Sequence, residues 1–588
     1  MANKRLFQSA LPGAALPKTD TVNQAGGRAY SRSDKAALAQ FAVTGCLNST
    51  FYAKDEDQLK YTLELAEKVD AKFLAQTAIY AREQGYLKDM PALLTAILFG
   101  RIKKDRAAVP FFYAAFGRCI DNGKMLKNFV QIVRSGITGR KSLGSAGGRL
   151  IQRWFDGHSD EQLVFQSVGN SPSLADVIKL ARVDPTSGPY GGQQRRALFN
   201  WLTGVEAGKK GPLGHSYDPN DLPQVVKDYE SWKSSSKGAR PGKAPNVPFQ
   251  MLTSLDLSEA DWTEIAKNAT WGQTRMNLNT FLRHGVFSKS ANVTLVTDRI
   301  KEPGLVKKAK VFPYQLMTSY NYTAKQVGMP QKITLALQQA LDLSLENIPY
   351  IDSQVVMAPD MSGSMASPVT GNRNSSATGT TARRGPASGA TTVVQCREVA
   401  ALITAAFLRK MPETMILPFS DHVDENVRLN PLDSVATNAQ KLAALPSGGT
   451  DCSLPLAYLN QRNIRADLVV YVSDYESWMD RTGATKHAYA YNRFGGVDTN
   501  QSTGLMVEWR KFKARNPKAR LVCVDLQPSM TGQVICEDDI LSCGGFSDMV
   551  FHVIADFATN GNNGDAWVKR IEAQPLFETG GPASSVAP

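Results

Sequence analysis

After Pro349 the chain settles into an alternation of short β-branched runs and longer amphipathic runs, and this feature restricts its fold more than any other. Gln354–Ala358, Thr414–Pro418, Leu468–Val472 and Arg520–Asp525 read as strands, with Val393–Lys410, Val435–Ala444 and Leu505–Ala514 as the helices between them. That order predicts a doubly wound α/β sheet, because neighbouring parallel strands need a crossover connection. Ligands of such a sheet bind at the carboxyl ends of its strands. Three polar loops are placed there: Asp360-Met361-Ser362-Gly363-Ser364, Ser447-Gly448-Gly449-Thr450-Asp451 and Ser473-Asp474. Aspartates combined with hydroxyls and waters make an oxygen shell suited to a hard divalent cation, Mg²⁺ or Mn²⁺. The carboxylates are too few to neutralise the ion, so it is expected to keep a position open for a partner's acidic group or an anion. Any one of these loops alone reads as an ordinary turn or helix cap; three at strand ends argue for a metal. Nucleophilic serine chemistry has little support, since no G-x-S-x-G elbow and no evident base accompany Ser362 or Ser364.

A chain of 588 residues exceeds what one core serves, so a second domain is expected before Pro349. There the texture is helical. Leu59, Leu63, Leu65 and Val69, then Phe73, Leu74, Ala78 and Ala81, then Leu93, Leu94, Ile97 and Leu98 mark three short helices punctuated by Gly85, Pro91 and Gly100. Further helices are predicted at Met125–Ser135, Gly148–Asp156, Ser159–Ser167, Ser173–Arg182, Gln193–Thr203, Ser258–Asn268 and Thr274–His284. Stacked helix pairs of this kind build an α-solenoid with extended surfaces for partners. Residues 204–247, rich in Gly, Lys, Ser and Pro, read as a mobile loop insertion. Residues 1–34 read as a flexible arm and 561–588 as a flexible tail.

Charge divides the chain along the same line. Residues 1–350 carry 46 basic and 30 acidic side chains, whereas 351–588 carry 21 and 24. The densest window, 101–150, holds 11 basic residues, among them Lys103, Lys104, Lys124, Lys127, Arg140, Lys141 and Arg149, against Asp105 and Asp121. A polyanion is drawn to such a surface because neutralised phosphates release condensed counterions; the plainer reading is a solvated basic face.

The longest apolar stretches, Ala92–Gly100 and Val399–Leu408, fall short of the roughly 18 residues a membrane-spanning helix needs. Gln8, Ser9 and Pro12 interrupt the apolar core that a secretory signal requires. Seven cysteines without a C-x-x-C pair read as reduced thiols of a cytoplasmic protein, and six histidines without H-x-x-x-H spacing give no support for zinc.

The second half resembles a von Willebrand factor A domain, with Asp360, Ser362, Ser364, Thr450 and Asp474 at the positions of that family's metal-ion-dependent adhesion site. Thr450-Asp451-Cys452-Ser453-Leu454-Pro455 is similar to its second metal loop. Phe41-Ala42-Val43-Thr44-Gly45-Cys46 with Thr50-Phe51-Tyr52 resembles the opening of a TROVE module, and Lys310-Val311-Phe312-Pro313-Tyr314-Gln315-Leu316 its closing helix. Together they resemble the Ro autoantigen family over roughly residues 35–560. The resemblance implies a multidomain chain: an all-α, HEAT-like ring over 35–349, followed by a doubly wound A domain over 350–560. It also implies a cytoplasmic RNA-binding protein without catalytic activity. A Y-type noncoding RNA would bind its outer surface, and single-stranded 3′ ends of misfolded RNA would enter its central hole. Bacterial relatives use the Y RNA to tether an exoribonuclease. Neither DNA nor a membrane is expected as a partner.

Within the resemblance, Ser362, Ser364 and Thr450 supply hydroxyl or water-mediated ligands, while Asp360 and Asp474 accept hydrogen bonds from bound waters or serines. Arg140, Lys141, Arg149, Arg153, Lys179 and Arg182 are the expected outer phosphate contacts, and Lys103, Lys104, Lys124 and Lys127, with basic residues of 301–310, the expected lining of the hole. Leu174 stands where the family's RNA-binding helix often carries a histidine, and the Gly- and Ser-rich stretch Ser367–Thr391 is long enough to cover the metal. The competing reading is a protein-binding scaffold whose metal grips an acidic side chain; metal-dependent hydrolysis at Asp360 comes third.

Overall fold

The computed structural model describes residues 16–45, 53–169, 172–211, 216–236, 239–240, 243–309, 311, 313–346, 348–369, 394–479, 501–547, 549–560 and 566–577. The chain divides into two compact units: Met1–Met90 with Phe312–Thr318 and Leu341–Pro575, and Pro91–Val311 with Ser319–Ala340 and Leu576–Pro588.

The first unit is α/β. Its strands are β1 (Thr21–Val22), β2 (Arg28–Ser31), β3 (Val355–Pro359), β4 (Met415–Ile416), β5 (Leu468–Ser473), β6 (Arg520–Asp525), β7 (Thr531–Gly532) and β8 (Ile540–Gly544). Five of them form one parallel sheet in the order β4-β3-β5-β6-β8. β3, β5 and β8 are buried along their whole length, as a sheet with helices on both faces requires. Alternate residues Val356 and Ala358, Val469 and Tyr471, and Leu521 and Cys523 share one face and pack with Leu456, Leu459, Trp509 and Phe512. From β3 the chain crosses to β4 on one side and returns to β5 on the other. The gap between β3 and β5 is therefore the switch point where ligands of open α/β sheets bind. The predicted strands and helices of this half are present. The helix Leu454–Gln461 and strand β8 were not foreseen.

The expectation of a flexible arm fails for residues 16–34. β1 and β2 form a hairpin, and β2 pairs antiparallel with β7, Tyr30 opposite Gly532. Arg32 reaches beneath it to form an ion pair of 2.9 Å with Asp525, both side chains buried. The helix Asp34–Thr44 packs on β8 and on the helices Asp55–Lys68, Ala71–Glu83 and Ala566–Glu572. Residues to Met90 thus belong with the α/β unit, and the expected boundaries at 35 and 349 give way to this division. The expected tail is likewise helical over Ala566–Glu572, with Trp567 and Ile571 buried; 561–565 and 578–588 lie outside the described residues. Arg32→Ala leaves Asp525, whose carboxyl burial already raises to about 8, with only the Gln527 N–H, so it would take up a proton, and the loss is expected to be about 1–3 kcal/mol, read as a lowered urea midpoint. An unchanged midpoint would mean that the strap adds nothing to the fold.

The second unit is helical. The predicted helices are found at Gly123–Ser135, Gly144–Asp156, Asp160–Gln166, Leu174–Ala181, Gln193–Leu202, Glu259–Asn268 and Trp271–Arg283. Ser159, Ser173 and Ser258 close capping boxes, which is why these starts were legible, and Thr270 closes another on a helix that begins three residues before the predicted Thr274. Phe99, Phe112, Phe116 and Phe129 form a ring cluster with neighbouring centroids 5.2–5.9 Å apart. Arg195, 1% exposed, ties the inter-helix turn together by donating to Asp160 Oδ1 at 2.8 Å, to the Phe155 carbonyl at 3.0 Å and to the His158 carbonyl. The supposed loop insertion 204–247 contains the helix Gln224–Ser234, whose Val226, Tyr229 and Trp232 are buried. Arg240 then folds back over Trp232 to pair with the buried Asp261 at 2.8 Å. Core burial outweighs the local Gly, Ser and Pro content there.

Candidate functional site

Asp360 follows β3 and Asp474 follows β5, adjacent parallel strands, so the register brings both carboxylates to the switch point. The loops are stitched by backbone hydrogen bonds: Asp360 N to the Val472 carbonyl at 2.9 Å, Met361 N to that of Phe419 at 2.7 Å, and Gly363 N to that of Gly448 at 3.0 Å. Asp360 accepts from Ser362 N at 2.7 Å through Oδ1 and from Ser473 Oγ at 2.5 Å through Oδ2. Ser362 Oγ lies 3.2 Å from Ser364 Oγ, and the Ser364 hydroxyl donates to Asp474. Thr450 stands on the second of the three loops, its carbonyl accepting from Trp478 N at 3.2 Å and Met479 N at 3.1 Å. Hydrogen bonds thus link Asp360, Ser362, Ser364, Ser473 and Asp474, and the loop that carries Thr450 is held beside them through Gly448. Ser473, whose hydroxyl orients Asp360, was missed as a site residue, although it adjoins Asp474.

Asp360, Ser362, Ser364, Thr450 and Asp474 are 0–4% exposed. Burial, and then the charge of Asp474, pushes the Asp360 carboxyl up to about 7. Burial raises Asp474 as well. Asp474 Oδ2 has no hydrogen-bond partner among the described residues. Two mutually repelling buried carboxylates, one with an orphaned oxygen, beside three hydroxyls fit a hard divalent cation. Among the described residues no three His, Cys, Asp or Glu side chains gather as a metal cluster, so the fit rests on hydroxyl oxygens.

The segment 477–479 runs beside these loops. Trp478 and Met479 lie against Gly449, where an added Cβ would come within 2.9 Å of the indole ring and 2.4 Å of the sulfur. The N-terminal hairpin holds this segment. Asn23 donates to the Ser477 carbonyl at 2.8 Å, and Ala25 N donates to Glu476 at 3.0 Å. Burial, with Asp474 nearby, raises the Glu476 carboxyl to about 8. Most of the stretch 367–391 lies outside the described residues.

The expected RNA contacts separate into two groups. Lys141, Arg149, Arg153 and Arg182 are exposed, and their charged ends have no ion-pair or hydrogen-bond partner among the described residues. Lys179 is exposed and donates to the Thr203 carbonyl at 3.4 Å. These residues lie on or beside the helices Gly144–Asp156 and Leu174–Ala181, which touch where Gly148 meets the Ala181 carbonyl. Two others serve the fold instead. Arg140 stacks on Phe99 at 3.9 Å and donates to its carbonyl at 3.2 Å, and Lys127 is buried and donates to the Val168 carbonyl. Lys103, Lys104 and Lys124 are exposed, as are Lys301, paired with Asp298, and Lys307 and Lys308. Leu174 is buried, so its position faces the core.

Comparison with known proteins bears on both units. A family model for the Ro60 vWA domain matches residues 385–558. The RNA-binding protein RO60 of Deinococcus radiodurans is 24% identical over 495 residues, 80% of this chain and 86% of that protein. The RNA-binding protein RO60 of Caenorhabditis elegans is 21% identical over 215 residues, 34% of this chain and 29% of that one. The crystal structure of the Deinococcus radiodurans RO (RSR) protein matches with a TM-score of 0.58 at 18% identity, covering 90% of this chain and all of that chain. The fold is the one it shares: helical repeats joined to a doubly wound von Willebrand factor A domain.

Proposed function

Since the chain belongs to the Ro family, we propose that it is an RNA-binding protein of the cytoplasm, acting in RNA quality control or decay without catalysis of its own. The observation that carries this reading is the group of unpaired, exposed cations Lys141, Arg149, Arg153 and Arg182 on two packed helices of the helical unit. Phosphate contacts of this kind hold structured RNA without reading its sequence. In this reading a Y-type noncoding RNA occupies that face. Single-stranded 3′ ends enter the central hole implied by the resemblance, near Lys103, Lys104 and Lys124, and an exoribonuclease is the partner that acts on them.

Ser362, Ser364 and Thr450, with Asp360 and Asp474, would hold Mg²⁺ or Mn²⁺ in the A domain. The ion would supply the positive charge that this buried carboxylate pair lacks. Ser473 and the Ser362 backbone orient Asp360 for that role.

The test is titration of a stem-loop RNA bearing a 3′ tail at two salt concentrations. Binding that weakens steeply with salt is expected. No binding at low salt, or an affinity indifferent to salt, would refute the reading.

A further inference from the structure

The turn between the helices Leu174–Ala181 and Gln193–Leu202 presents an aromatic side chain for which the fold itself has little use. Tyr190 is 47% exposed. It sits in a four-residue turn closed by a hydrogen bond of 3.1 Å from Gly191 N to the Gly188 carbonyl, with Pro189 before it. A second hydrogen bond, 3.0 Å from Gly192 N to the Pro185 carbonyl, closes the larger loop. Gly188 has φ +76°, and a Cβ there would lie 2.6 Å from the Asp156 side chain, so only glycine fits this approach. One side of the Tyr190 ring is backed by the buried Arg195 guanidinium, 5.4 Å from the centroid. That guanidinium is fixed independently by Asp160 and two carbonyls.

The loop is also fastened to the helix that carries the basic face. Asp184 N donates to Gln152 Oε1 at 2.7 Å, Gln152 Nε2 donates back to the Asp184 carbonyl at 3.1 Å, and Ser187 Oγ donates to Asp156 at 2.9 Å. Arg149, Arg153 and Asp156 stand at i, i+4 and i+7, hence on one helix face, with the row about 10 Å long. It leads from two unpaired arginines to the carboxylate on which the Tyr190 loop rests. The acids nearby are engaged internally: Asp156 by Gln152 and Ser187, Asp160 by Arg195, and Asp184 by Thr186. The two unpaired arginines thus lead along the helix to an exposed ring, with the nearest carboxylates, Asp156 and Asp184, held by hydrogen bonds from the loop itself.

We propose that Tyr190 is a base-stacking platform: an unpaired nucleobase next to a double-stranded stem stacks on its ring while the stem's phosphates lie along Arg149 and Arg153. This rests on the RNA-binding reading and adds a preference to it, namely for a stem with an unpaired base over a blunt duplex. Stacking is tolerant of sequence because every base has a π-face, and a ring held in place beforehand loses little freedom when the base arrives. Arg195 is a positioning residue in this arrangement.

The experiment compares two RNAs, a stem flanked by an unpaired 2-aminopurine and a blunt duplex of the same stem, on the full chain and on Tyr190→Ala and Tyr190→Phe. For the first RNA, Tyr190→Ala is expected to weaken binding about tenfold, leave the salt dependence unchanged and abolish 2-aminopurine quenching. Tyr190→Phe should retain both affinity and quenching, and the blunt duplex should bind all three proteins alike. Equal binding of the first RNA by wild type and Tyr190→Ala would overturn the platform while leaving RNA binding intact. An equal loss for both RNAs would overturn it too, by showing that the loop acts through the shape of the face. Failure of the wild-type chain to bind either RNA at low salt would remove both readings.

Discussion

Reversal of Arg149, Arg153 and Arg182 to glutamate together is expected to weaken binding of a structured RNA on the order of 100-fold at low salt, and to flatten its salt dependence by about one unit per lost phosphate contact. The three side chains are exposed and unpaired, so the fold has no ion pair to lose and the melting temperature should hold within a few degrees. Binding of a short single-stranded tail should survive, since the cations proposed for it, Lys103, Lys104 and Lys124, are untouched. Arg140 and Lys127 supply the contrast. Arg140 packs on Phe99 and Lys127 is buried against the Val168 carbonyl, so their reversal should lower stability before it touches RNA affinity. A triple variant with wild-type affinity would place structured RNA elsewhere.

The second large effect concerns Asp474. Mg²⁺ or Mn²⁺ at a hundred times its dissociation constant is expected to stabilise the protein by about 2.7 kcal/mol, read by thermal or urea unfolding. Asp474→Asn should remove that response. In metal-free protein the same substitution should act in the opposite direction and raise the midpoint, because Asp360 then no longer faces a second buried carboxylate.

The pH dependence follows from Asp360, whose carboxyl is held up at about 7 against an ordinary 3.8. Folded metal-free protein keeps that proton where the unfolded chain has lost it. Its stability is therefore greatest below pH 3.8 as far as this group is concerned, and is lost as pH rises toward and through about 7. Metal binding displaces the proton, so the stabilisation by Mg²⁺ should grow over the same interval. If Asp474→Asn responds to Mg²⁺ as wild type does, the ion sits at another place.

Much of the secondary structure of both units was readable from the sequence alone, because its causes are local. Capping serines at 159, 173 and 258 announce helix starts, and the runs at 355, 468 and 520 are buried on both faces and so are apolar through their middles. The three loops that carry the candidate ligands were legible for a related reason: strand order sets where loops emerge, and short motifs name the oxygens those loops carry. What tertiary structure alone decided is nonlocal. β2 pairs with β7 across some five hundred residues, Tyr30 with Gly532, so neither partner's sequence announces the other and the arm reads as loose. Trp232 and Arg240 are ordered by a core and by Asp261 rather than by their Gly- and Ser-rich neighbours. Charge has the same limit. Sequence counts cations, but whether a guanidinium faces solvent, as at Arg149, or stacks on a ring, as at Arg140, depends on what the folded chain brings within a few ångströms of it.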